Sequence, residues 1–133
     1  MNKTATKIVA AVPGLPLLAN AVMFVFAPQQ VTSDLGMPLL EGLGRSTQLG
    51  DLGAFFTFSA LLIFYGVYKS EGKLLRIVAL LLGLTALFRL IAWAVNGAEL
   101  ATMLILAETI LVVWLVVAAN FFDRLWVSQG ESQ

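Results

Sequence analysis

Two ionisable side chains interrupt the long apolar runs of this 133-residue chain, Arg89 and Glu108. An arginine offers a planar fork of N–H donors suited to an anionic or carbonyl group. A glutamate beside it can serve as counter-ion, proton carrier or general acid/base. Either charge alone in hydrocarbon costs about 2.5–3.5 kcal/mol on insertion scales, so pairing is the cheapest way to keep both. Arg89 lies seven residues before Asn96, roughly 10 Å along a helix, and Glu108 nine residues after Glu99, roughly 14 Å. If the intervening Asn96-Gly97-Ala98-Glu99 is a tight turn, the two meet at similar depth on antiparallel helices. The expectation is a buried Arg89–Glu108 salt bridge facing the interior.

Other polar residues approach the same level. Asn20, Asp51 and Asn96 join Arg89 and Glu108 as expected ligand-binding residues, and Thr57 and Thr85 add hydroxyls at nearby depths. Each also has a purely structural role open to it. A buried ion pair can fix helix register alone. Asn and Thr act as interhelical glue worth well under 2 kcal/mol. Asp51 can be the N-cap of its helix, and the run Phe55-Phe56-Thr57-Phe58 reads as packing.

What is missing narrows the chemistry. There is no Cys and no His, hence no thiolate nucleophile, disulfide, imidazole base or usual metal ligand set. No metal site and no cofactor are expected, and no nucleophile motif marks an enzyme. Eight basic residues balance eight acidic ones, so nothing recruits nucleic acid.

The elements that hold these residues are membrane spans. Hydrophobic residues make up 59% of the chain, charged residues 12%, and the mean hydropathy is +0.91. Soluble domains carry about 25% charged residues. A span needs roughly 20 apolar residues, and four stretches qualify: 8–27, 51–68, 74–95 and 100–122. Lys3 and Lys7 ahead of an apolar run imitate a secretory leader, but Ile8–Ala27 is long enough to cross and reads as a retained first helix. Pro13, Gly14 and Pro16 should kink it or delay its start. Segment 28–50 is too short and broken to span, and is expected at the interface or across the outer mouth. Gly50-x-x-Gly53 and Ala79-x-x-x-Gly83 are candidate points of close helix approach.

Basic residues set the orientation. With the N-terminus inside, Lys3, Lys7, Lys69, Lys73, Arg76 and Arg124 lie on the inner side, and outside there is Arg45 alone. Tyr65, Tyr68 and Trp126 then mark the inner interface and Trp93 the outer one. The expected fold is all-α: a single domain over 1–133, an integral membrane four-helix bundle of up-down topology with both termini cytoplasmic.

The string Leu49-Gly50-Asp51-Leu52-Gly53-Ala54-Phe55-Phe56, followed by Gly83, Arg89, Gly97 and Glu108, resembles a family of small bacterial four-helix membrane proteins, the domain of unknown function 4345 family. The likeness covers helices two to four, and the family's Asp-aromatic-Gly-Gly stretch stands here as Asp51-Leu52-Gly53-Ala54. It implies the four-helix fold, a bacterial cytoplasmic (inner) membrane location and a polar set at Asp51, Arg89 and Glu108. It brings no activity.

The leading function expected is therefore binding or transport of a small polar or amphipathic ligand, or a proton, in an outward-facing pocket. Two alternatives stand beside it: an intramembrane acid/base enzyme using Glu108 and Asp51 on a lipid-like substrate, and an accessory or assembly subunit whose ion pair is structural. The expected partners are the lipid bilayer and that ligand, with self-association into a homo-oligomer left open.

Overall fold

The computed structural model describes the backbone of residues 2–130 and the side chains of residues 2–125. The described chain is all-helical: α1 (Lys3–Ala11), α2 (Gly14–Phe26), α3 (Pro28–Asp34), α4 (Gly42–Lys69), α5 (Gly72–Asn96) and α6 (Thr102–Gly130). Four helical stretches are long and apolar enough to cross a membrane: Lys3–Phe26, Gly42–Lys69, Gly72–Asn96 and Thr102–Leu125. These are the elements of a multi-pass membrane protein. Their outward surfaces bear it out, with Ile8, Leu15, Val25, Leu61, Phe88 and Val113 all exposed. Such a coat is costly against water and neutral against lipid.

The first of these stretches is kinked between α1 and α2, and proline chemistry explains how. Pro13 has no N–H for the Val9 carbonyl, and Pro16 none for that of Val12. Both carbonyls find other donors. The Trp114 indole N–H from α6 donates to the Val9 oxygen at 3.0 Å, and the Leu15 N–H to the Val12 oxygen at 3.1 Å. Hydrocarbon offers no substitute for such partners.

The second long helix differs from expectation. It begins at Gly42 rather than at Asp51, after an extended Glu41 whose side chain makes no capping hydrogen bond. Its 28 residues span about 42 Å against roughly 30 Å of hydrocarbon. Asp51 is thus a mid-helix residue, not an N-cap. Of segment 28–50, the part before Gly42 forms short α3 and an extended stretch. Gln48 pins that stretch down: its side chain accepts from the Leu40 N–H and donates to the Pro38 carbonyl, both at 3.0 Å.

Close helix approaches also fall elsewhere than expected. A Cβ at Gly50 or Gly53 would meet nothing within 4 Å, and one at Gly83 only Val112 at 4.0 Å. A Cβ at Gly72 would lie 2.6 Å from the Ala119 carbonyl oxygen, so this glycine lets α5 meet α6 backbone to backbone. Arg76 donates to Asn120 and Asp123 of α6 just beyond. At the same end, Lys7 donates to the Tyr68 carbonyl in the last turn of α4 at 2.9 Å, where free carbonyls attract a cation. Between these ties lies the core, with Ile63, Leu75, Leu115 and Phe122 fully buried. Lys69 sits over the rings of Tyr65 and Tyr68, which with Trp93 are exposed. Trp126 lies outside the described side chains.

Candidate functional site: a cavity among four helices

Helices α5 and α6 run antiparallel. Gly72 at the start of α5 meets Ala119 late in α6, while Arg89 near the end of α5 meets Glu108 early in α6. Gly97, at φ 67°, turns the chain between them, and its N–H returns to the Ala92 carbonyl. This hairpin brings the two charges together. Arg89 Nε donates to both carboxylate oxygens of Glu108, at 3.0 and 3.2 Å.

The pair is not enclosed. The Arg89 side chain is 27% exposed and that of Glu108 13%, since both border a cavity of about 450 Å³. Nε alone engages Glu108 in these contacts, which leaves the donors of the two terminal guanidinium nitrogens unused by Glu108. Asn20 from α2, Asp51 from α4 and Thr85 from α5 line the same cavity. The Thr85 hydroxyl donates to the Leu81 carbonyl at 2.9 Å, one turn back in its own helix. Among the described residues, the side chains of Asn20 and Asp51 make no hydrogen bond or ion pair.

Apolar groups make up the remaining wall. Leu17, Leu82, Leu104 and Leu111 contribute from α2, α5 and α6, and Phe55 and Phe56 from α4. Phe56 stacks on Phe24, with centroids 5.7 Å apart, and meets Phe55 edge-on. Leu35 and Met37 reach the cavity from the segment between α3 and α4, the stretch that Gln48 holds. That segment therefore borders the cavity.

One expected ligand-binding residue, Asn96, and one hydroxyl read at a nearby depth, Thr57, lie outside the cavity. Asn96 is exposed at the end of α5 and does not line the cavity. It lies seven residues beyond Arg89, almost two full turns, and the helix carries it past the rim. Thr57 is exposed and also outside; six residues from Asp51, it is rotated to another face of α4. Thr85, Gln48 and Met37 were absent from the expected ligand set. Thr85 was legible in the sequence one turn from Arg89, as a hydroxyl with a structural role. Met37 had a fainter signal, an apolar residue between Gly36 and Pro38. For Gln48 no sequence signal exists, because its partners are backbone groups.

No group of three or more His, Cys, Asp or Glu able to hold a metal occurs among the described residues. No family model, curated protein or solved structure matches the chain. The resemblance carried by Leu49–Phe56, Gly83, Arg89, Gly97 and Glu108 gains no support there, so function is argued from the cavity alone.

Proposed function

We propose that this protein binds a small amphipathic ligand within the membrane, in a polar-based pocket reached from the outer side. The observation that carries it is one cavity lined by polar residues from three long helices and the α5–α6 ion pair, under apolar walls. Sites for small molecules have this make-up: mostly apolar, roughly 300–1,000 Å³, with a few convergent polar groups. The ligand's polar end meets Arg89, Asn20 and Asp51, and its apolar body lies along Phe55, Leu82 and Leu111. The Arg89 terminal nitrogens suit a carbonyl or hydroxyl oxygen.

The proposal includes the setting. The four spans form an up-down bundle in a cytoplasmic membrane, bacterial on the strength of the resemblance, with both termini inside. Its support is the six basic residues gathered toward one side against Arg45 on the other. The cavity, at the opposite end from Lys7 and Arg76, then opens outward.

One observation favours a second reading. Asp51 and Glu108 line the same cavity, so two carboxylates are available for acid/base work on a lipid-like substrate. Against it, both Glu108 oxygens are engaged by Arg89, and the one hydroxyl in the cavity lining, Thr85, donates to the Leu81 carbonyl rather than to a carboxylate. Binding accounts for more of the site.

The chain's lack of cysteine makes a direct test simple. A single cysteine at Thr85 should react with a membrane-impermeant thiol reagent added from outside. One at Thr57, on the outward face of α4, should not. An inert Thr85→Cys would mean a closed, dry site and return the ion pair to a structural role in an accessory subunit.

A further inference from the structure

Resting on the binding proposal, we infer that the ligand is a cationic amphiphile whose charge is read by Asp51. Formal charge around the cavity is unbalanced. Its lining holds a single cation, Arg89, and two carboxylates, Glu108 and Asp51. Arg89 and Glu108 neutralise each other at 3.0 Å. Asp51 has no ion-pair partner among the described residues.

No other basic residue supplies the difference. Arg45, nearest in sequence, directs its Nε at the Leu40 carbonyl and does not line the cavity. Lys7 is tied to α4's last turn, and Arg76 to Asp123. Asp51 is exposed where it borders the cavity, so its uncompensated carboxylate is open to an incoming cation.

An arginine in a membrane cavity taken alone suggests an anionic ligand. Here its charge is already spent on Glu108, and an anion would meet a site of net charge −1. The order of preference is therefore cation, then neutral, then anion. Chain length and shape are left to the apolar walls, whereas the sign of the head is set by one residue.

Three probes of matched chain length test this: decyltrimethylammonium, decanol and decyl sulfate. Binding is measured to the full-length protein in phosphatidylcholine nanodiscs, with uptake by empty discs subtracted. The expected result is saturable binding of the cation, about tenfold tighter than decanol, with decyl sulfate weakest. Asp51→Asn should bring the cation to the level of decanol and leave decanol unchanged. Asp51→Glu, which keeps the charge, should retain the preference. Tightest binding by decyl sulfate, or a cation preference that survives Asp51→Asn, would overturn the inference. If decanol still bound saturably, and Ala107→Trp abolished this by filling the cavity, the pocket itself would stand. Saturable binding of none of the three would overturn inference and pocket together.

Discussion

At the scale of single residues, the decisive feature is that the Arg89–Glu108 pair is formed but open. An exposed pair contributes about 0–1 kcal/mol, and breaking a fully enclosed one costs about 3–5 kcal/mol. With side chains 27% and 13% exposed, each partner can draw on water entering the cavity, so the cost of losing the other falls between these limits. Glu108→Gln and Arg89→Gln should each destabilise the detergent-solubilised protein by about 1–3 kcal/mol. The double variant should recover part of that loss, because neither then leaves a stranded charge. Strictly additive losses in thermal unfolding would show that the two do not interact.

Among elements, the joint between α1 and α2 carries the most specific chemistry. Prolines in a membrane helix are tolerated when a neighbour supplies the missing donor. Here the donor for Val9 is Trp114, 105 residues on. Trp114→Phe keeps the apolar contact and removes the N–H, and should cost about 1–2 kcal/mol. Pro13→Ala restores a backbone donor at the position helical bonding requires. In the Pro13→Ala background, Trp114→Phe should therefore cost much less. An undiminished loss there, read by thermal unfolding, would mean that the indole acts by packing alone. The joint matters to the site because α2 carries Asn20 and Leu17 into the cavity.

For the whole molecule, the proposed topology makes the cavity face outward. A cysteine at Ser46, near the start of α4, should be labelled by an impermeant reagent applied to intact cells, and one at Ser128 should not. The reverse pattern would turn the molecule over and open the cavity to the cytoplasm. It would leave the cavity's charge balance untouched, since Arg89, Glu108 and Asp51 keep their mutual positions in either orientation.

The sequence alone determined the number of apolar helices, because runs of about 20 apolar residues have few other ways to satisfy their backbone groups. It also pointed to Arg89 opposite Glu108, since a link of only a few residues holds its two helices to one register. Helix starts were harder to read. The first turns of α4 are polar, and hydropathy marks where a span turns apolar rather than where hydrogen bonding begins, so Gly42 was passed over for Asp51. Tertiary structure alone decided which polar residues share a cavity. Asp51 and Thr57 are six residues apart on one helix, yet one lines the cavity and the other does not, because the facing of α4 is set by its packing on α2 and α5. It likewise decided that Gly14, Gly66 and Gly72, rather than Gly50, Gly53 or Gly83, are glycines at which helices approach closely. Such contacts depend on what a neighbouring helix presents at that height, which no local pattern encodes.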